Sequence, residues 1–115
     1  MTYGEDFIEK HSDLVKLFTV APEVEGAAEC IEKVSKNTNV LISMGHTDAT
    51  YEEAVEGIKK GVRHTTHLFN AMTALSHRSP GVVGAALATV ISRYVQIFIV
   101  IGWTHLNRNK LIFPK

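Results

Sequence analysis

Short apolar runs alternate with amphipathic segments along this chain, and this alternation limits the fold more than any other feature. Residues 15–20 are rich in β-branched and aromatic side chains and precede Pro22, which predicts a strand. Residues 40–44 are almost continuously apolar, as buried parallel strands are, and residues 62–67 form a third candidate strand. Because a helical segment lies between successive strands, the sequence predicts an α/β fold in which a βαβαβ succession forms a parallel sheet.

The two intervening segments carry the marks of helices. Apolar residues recur at helical spacing between positions 24 and 34. The second segment begins at Thr50, which matches a capping box with Glu53, and ends at Gly61 after two lysines. Beyond Pro80, residues 82–88 are a candidate short helix, and residues 94–102 are predicted to form a strand.

Length and composition exclude several classes of protein. The chain has 115 residues, whereas a complete (β/α)8 barrel takes about 250. Its 12 basic and 12 acidic residues balance, so we expect neither nucleic acid nor a membrane as a partner. Cys30 has no second cysteine to pair with, and the most apolar stretch, residues 95–102, is shorter than the roughly 20 residues that span a bilayer. The sequence therefore predicts a soluble cytoplasmic protein.

Two histidines directly follow predicted strands. His46 comes after residues 40–44, and His67 ends the third candidate strand 21 positions later. The carboxyl ends of neighbouring parallel strands meet at one edge of a sheet, where ligands bind in α/β folds. A pair of imidazoles at that edge could hold a transition metal. A histidine in such a loop is more often a capping or surface residue, so the spacing leaves both interpretations open.

Other candidate groups carry weaker signals. Arg78 lies in the long loop after the third strand and could bind a phosphate or carboxylate through two parallel hydrogen bonds, or be a solvated loop charge. The glycines of residues 81–84 match neither the Gly-x-Gly-x-x-Gly spacing nor the Walker spacing of nucleotide-binding loops. Cys30 lies on a predicted helix, where we expect it to be packed, and no Ser–His–Asp or Cys–His arrangement is visible.

Three motifs nevertheless resemble, in order, those of one enzyme family. Residues 45–54 (GHTDATYEEA), 65–72 (TTHLFNAM) and 77–86 (HRSPGVVGAA) resemble consecutive motifs of the N-acetylglucosamine-6-phosphate deacetylases, members of the amidohydrolase superfamily. Residues 17–23 (LFTVAPE) resemble the strand and turn just upstream. The resemblance covers about residues 13–87, and residues 88–115 form a divergent tail of the single segment.

The resemblance implies a metal-dependent enzyme that hydrolyses the N-acetyl group of N-acetylglucosamine 6-phosphate to give glucosamine 6-phosphate and acetate. It implies a partial TIM (β/α)8 barrel of about three βα units and a divalent metal ion, zinc or iron, as cofactor. It also implies a phosphorylated amino-sugar as substrate. The residues that it assigns are His46 and His67 as metal ligands and Asn70, Ala71, Arg78 and, more loosely, His105 as substrate contacts.

Parts of the family pattern are missing from this sequence. No segment resembles the strands that carry the family's glutamate ligand and its catalytic aspartate, so the catalytic residue is unassigned and we expect this chain alone to be inactive. The tail after Leu87 suggests a truncated or frameshifted reading. The alternative hypothesis is a non-catalytic fragment whose open strand edges favour a homo-oligomer. A small flavodoxin-like module that binds a phosphorylated ligand is a third possibility.

Overall fold

Residues 2–112 are described by a computed structural model as helices that flank a three-stranded sheet. The elements, in chain order, are α1 (Thr2–Lys10), β1 (Leu17–Val20), α2 (Ala27–Asn37), β2 (Leu41–Met44), α3 (Tyr51–Lys60), β3 (His64–Thr65) and α4 (Gly81–Ile112). The predicted succession of strands and helices from residue 15 to residue 67 is confirmed. Helix α1 has no counterpart among the elements predicted from the sequence.

The sheet is parallel throughout, with the strands in the order β1-β2-β3. Leu17 pairs with Leu41 and Val20 with Met44, so β1 and β2 are aligned along their whole length. Ser43 pairs with His64 at the start of β3, which is shorter than predicted. All three strands therefore end at the same edge, which confirms the predicted α/β arrangement. Whether they form part of a barrel stays a prediction.

The main core lies between the sheet and helices α2 and α3. Side chains alternate across a strand, so Ile42 and Met44 of β2 point to the same face, and both are almost completely buried. Ile31 and Val34 of α2 pack into the same apolar cluster and have no exposed surface. Ala54 adds α3 to this cluster. The helical spacing in the sequence predicted these contacts, because only one stripe of each helix is apolar.

The ends of α2 and α3 follow from local chemistry. The Thr50 side chain accepts a hydrogen bond from the Glu53 backbone N–H, and the Glu53 carboxylate accepts one from the Thr50 N–H, which confirms the capping box. Gly61 ends α3 at a φ of 142°, in a region that side chains rarely adopt, and a Cβ there would clash with Ser35. Helix α2 begins only after Gly26, which has a φ of 80° and serves as its N-cap.

Helix α4 overturns the prediction of a strand at residues 94–102. The short helix expected at residues 82–88 continues without a break to Ile112, over 32 residues. The run of β-branched residues favours a strand only where neighbouring strands can take up its backbone hydrogen bonds, whereas a helix satisfies them internally. The first turn of α4 is buried at Val82 and Val83, but residues 90–106 are all exposed.

The length of α4 also changes the expectation about membranes. Residues 95–102 are too short to span a bilayer by themselves, but they are part of a longer apolar helix. Over Gly81–Arg108, α4 is long and apolar enough to cross a membrane by length and composition alone. Only 6% of that helix's most apolar window is buried within the described structure.

Candidate functional site

His46 and His67 meet at the edge of the sheet where the strands end. Their Nε2 atoms lie 2.9 Å apart, and their rings contact edge to face with centroids separated by 4.6 Å. His46 follows β2 and His67 follows β3, and parallel pairing of these strands aligns the two loops. Both side chains are exposed to solvent. The structure thus brings together the two residues that the sequence singled out as metal ligands.

A backbone carbonyl determines the proton position on His67. Its Nδ1 lies 3.1 Å from the carbonyl oxygen of Asn70. A carbonyl oxygen can only accept a hydrogen bond, so Nδ1 is the donor here, and in the neutral tautomer with this proton the lone pair lies on Nε2. The Nε2 of His46 lies 2.9 Å from that atom, and a hydrogen bond between the two nitrogens requires His46 to be the donor. Fixing a ligand histidine through its second nitrogen is a general feature of metal sites in proteins.

The spacing of the two nitrogens is suited to a shared ion. Two zinc–nitrogen bonds of about 2.0–2.1 Å that diverge by about 90–110° place their nitrogens about 2.8–3.4 Å apart. The observed 2.9 Å lies at the short end of that range. Within residues 2–112, no group of three or more His, Cys, Asp or Glu side chains is arranged to hold a metal ion. The pair therefore fits two positions of a coordination shell, and the described chain offers no third side chain.

The loops that carry these histidines adopt strained backbone conformations. Among residues 2–112, every non-glycine residue with positive φ lies in these two loops: His46 at 51°, His67 at 33°, Phe69 at 79° and Ala71 at 50°. Each such residue costs of order 1–3 kcal/mol, and such strain is concentrated at functional sites in proteins. The Thr47 N–H donates to the Ala71 carbonyl oxygen at 3.0 Å, which ties the two loops together.

Glu23 is a residue of this site that the sequence analysis did not single out. It follows β1, and its carboxylate accepts hydrogen bonds from the Thr47 hydroxyl and from the Asp48 backbone N–H. Both contacts lie within two positions of His46, so Glu23 holds the loop that presents this histidine. The argument that selected His46 and His67 applies equally to Glu23, since it too follows the carboxyl end of a strand.

The predicted substrate contacts are distributed unevenly. Asn70 and Ala71 lie in the loop after β3, beside the histidine pair, and both are exposed. Arg78 is exposed farther along the same connection, where its backbone N–H donates to the Ser76 hydroxyl. His105 lies about 36 Å along the helix from Gly81. It belongs to the distal part of α4, residues 90–106, which is exposed throughout. The start of α4 lies close to Ala49, three residues after His46, so His105, which is near the other end of this helix, is not brought to the histidine pair.

Two other polar groups near the sheet have structural roles. Ser43 is fully buried, and its hydroxyl lies 2.9 Å from Nδ1 of His64 and 2.6 Å from the Thr66 hydroxyl. A nucleophile must be reachable by substrate, and Ser43 is not. Cys30 is buried in α2, as expected, and this burial raises the pKa of its thiol and keeps it protonated.

Comparisons with known proteins point consistently to amino-sugar phosphate deacetylases. The chain is 45% identical over 75 residues to N-acetylglucosamine-6-phosphate deacetylase of Bacillus subtilis (strain 168), covering 65% of this chain and 19% of the relative. The enzyme of the same name from Danio rerio is 38% identical over 81 residues, covering 69% and 20%. An N-acetylgalactosamine-6-phosphate deacetylase of Escherichia coli O157:H7 is 38% identical over 73 residues, covering 64% and 19%. No family model matches the chain.

Solved structures give the same result. N-acetylglucosamine-6-phosphate deacetylase of Pasteurella multocida superposes with a TM-score of 0.70 at 35% identity, covering 76% of this chain and 23% of that one. A variant of the Mycobacterium smegmatis enzyme in complex with N-acetyl-D-glucosamine-6-phosphate gives a TM-score of 0.64 at 36% identity, covering 70% and 21%. The chain therefore spans about a fifth of the length of these relatives, and over about two thirds of its own length it is homologous to a segment of the N-acetylglucosamine-6-phosphate deacetylases, which are hydrolases.

Proposed function

We propose that this chain supplies part of the metal site and the substrate site of a deacetylase that acts on N-acetylglucosamine 6-phosphate. The observation that carries the proposal is the pairing of His46 and His67 at the shared edge of the sheet, with Nε2 atoms 2.9 Å apart. The products would be glucosamine 6-phosphate and acetate. The segment would belong to a partial TIM barrel and would act in the cytoplasm.

Different residues of the two loops and of the connection after them would bind the metal ion and the substrate. His46 and His67 would hold a divalent ion, zinc or iron, because neutral imidazoles suit both metals. At such sites the ion activates water and polarises a carbonyl oxygen. The Asn70 carbonyl keeps the Nε2 lone pair of His67 available, while Asn70 and Ala71 would contact the sugar. Arg78 would bind the phosphate, for which its planar guanidinium is well suited.

The activity would belong to the complete catalytic set and not to this segment by itself. The described residues offer two imidazoles and no third ligand, and no carboxylate is assigned as the proton carrier for the leaving amine. Loss of one member of a catalytic set commonly lowers turnover by several orders of magnitude. We therefore expect the 115-residue chain alone to release little acetate from N-acetylglucosamine 6-phosphate.

An exchange of segments tests the function directly. The region of the Bacillus subtilis enzyme that matches this chain would be replaced by the corresponding residues of this chain, and acetate release would be measured on N-acetylglucosamine 6-phosphate and on N-acetylgalactosamine 6-phosphate. We expect the chimaera to prefer the glucosamine substrate, and its His67→Ala variant to lose at least about 100-fold in kcat/KM.

The isolated chain and a His77→Ala chimaera serve as controls, since His77 is an exposed loop residue. Circular dichroism establishes that each chimaera is folded. A folded chimaera that releases no acetate, or whose His67→Ala variant is fully active, would contradict the proposed function. A preference for the galactosamine substrate would overturn the assignment of the sugar.

Glu23 provides a separate test of how the site is held. Replacing it with alanine removes both hydrogen bonds to the loop of His46, so we expect zinc affinity to fall about 10-fold to 100-fold, as for other groups that orient metal ligands. Zinc titration of the parent chain and of the Glu23→Ala variant measures the change in affinity. Glu25→Ala makes the same change of charge at an exposed position two residues away and should leave affinity unchanged. If Glu23→Ala and Glu25→Ala lose zinc affinity equally, the effect of Glu23 comes from its negative charge and not from its two hydrogen bonds.

A further inference from the structure

The distal part of α4 is apolar and exposed on every side. Four consecutive apolar side chains, Ile97, Phe98, Ile99 and Val100, are each 51–69% exposed. Successive residues of a helix point about 100° apart, so four neighbouring positions together face all directions around the axis. A helix that lies in a protein groove is apolar along one stripe, whereas one that is apolar all round is surrounded by apolar material.

The charges of the chain are strongly divided, although they sum to zero. All 12 acidic residues lie at or before Glu56. The basic residues after that point are Lys59, Lys60, Arg63, Arg78, Arg93, Arg108, Lys110 and Lys115. The half of the chain that contains α4 is therefore purely basic, and such a segment next to an apolar helix is attracted to anionic lipid.

From these two observations we propose that the distal part of α4 inserts into an anionic lipid bilayer, with the segment between Arg93 and Arg108 in the hydrocarbon region. This segment contains no acidic or basic side chain except His105. The helix rises about 22 Å over the 15 residues from Arg93 to Arg108, which is less than the roughly 30 Å thickness of a typical hydrocarbon core. The long side chains of Arg93 and Arg108 extend toward the headgroups and make up the difference.

This proposal goes beyond the deacetylase function and replaces the expectation that the chain has no membrane partner. It does not apply to the first turns of α4, because Val82 and Val83 are buried in the protein. The apolar window within Gly81–Arg108 is neither at the N-terminus, as a signal sequence would be, nor buried, as a core helix would be.

Trp103 is the only tryptophan of the chain and lies within the proposed segment, so its fluorescence reports insertion directly. The full chain would be mixed with vesicles of phosphatidylcholine alone or with phosphatidylglycerol added. We expect a blue shift of emission and protection from acrylamide, both stronger with the anionic vesicles. Lipids brominated along the acyl chain should quench the emission.

Three variants make the test specific. Ile99→Asp places a carboxylate in the middle of the segment and should weaken binding to anionic vesicles by on the order of 100-fold. Combining Arg108→Gln with Lys110→Gln should weaken it by about 10-fold or more, and only for the anionic vesicles. Leu14→Asp, at a position that is 75% exposed and far from α4 in sequence, should bind as the parent does. Circular dichroism of each variant reports whether it is folded.

The alternative is that a second copy of the chain packs against this helix. If the chain sediments as an oligomer, and Trp103 is already protected from acrylamide before lipid is added, the proposal is wrong. Unchanged emission of the parent in both kinds of vesicle also overturns it, as does an Ile99→Asp variant that binds as tightly as the parent.

Discussion

Replacing either His46 or His67 with alanine is expected to abolish stoichiometric metal binding by the purified chain. Their Nε2 atoms are 2.9 Å apart, and the described residues contain no third side chain arranged to compensate for a lost imidazole. The remaining histidine would be a single exposed ligand, which holds a divalent ion only weakly. The measurement is elemental analysis for zinc and iron after gel filtration, on the parent and on each variant.

His77→Ala is the matched control, because it removes an exposed imidazole from the loop after β3 without touching the pair. It should retain the metal content of the parent. Metal retained in His46→Ala or His67→Ala would show that the ion is bound elsewhere. A parent that contains no metal, even after incubation with zinc, would show that the two histidines of this chain do not hold the ion without the rest of the catalytic set.

Ile31→Ala is expected to cause the largest loss of stability among single core substitutions of α2. The Ile31 side chain is completely buried in the cluster between α2 and the sheet. Truncation leaves a cavity and removes apolar contacts, which together cost about 2–5 kcal/mol. Small domains have a total unfolding free energy of about 5–15 kcal/mol, so the urea midpoint should fall markedly.

Unfolding would be followed by far-ultraviolet circular dichroism, because Trp103 lies in the exposed part of α4 and does not report on the core. Leu14→Ala removes a comparable side chain that is 75% exposed and should shift stability by less than about 0.5 kcal/mol. Equal midpoints for Ile31→Ala and the parent would mean that the cluster between α2 and the sheet contributes little to stability.

The sheet and its two helices could be predicted because each of their sequence signals has a single structural meaning. The apolar stripe of α2 and the capping box at Thr50 specify helices, and the run that became β2 matches a buried parallel strand. The run at residues 94–102 does not have a single meaning. Its β-branched residues suit a strand when a partner strand is present and a helix when none is, and no local pattern reveals whether a partner exists.

The candidate site was predictable to a similar extent. The rule that ligands bind at the carboxyl ends of parallel strands selects His46 and His67, and the loops do bring them together. The hydrogen bond between His67 and Asn70 could not be predicted, since the atom that contacts His67 is a backbone carbonyl oxygen, which every residue possesses. His105 was assigned from a loose likeness in the tail, where the chain forms a helix that leads away from the histidine pair.

The hydroxyl groups between the strands decide the alignment on which the histidine pair depends. The hydroxyl of Thr66, directly after β3, is hydrogen-bonded both to Thr19 of β1 and to Ser43 of β2. A slip of one residue between β2 and β3 would leave the buried Ser43 hydroxyl without its partners. It would also move His67 by about 3.3 Å and turn it to the opposite face. The geometry of the two imidazoles thus depends on three hydroxyl groups that take no part in the hydrogen bond between the histidines.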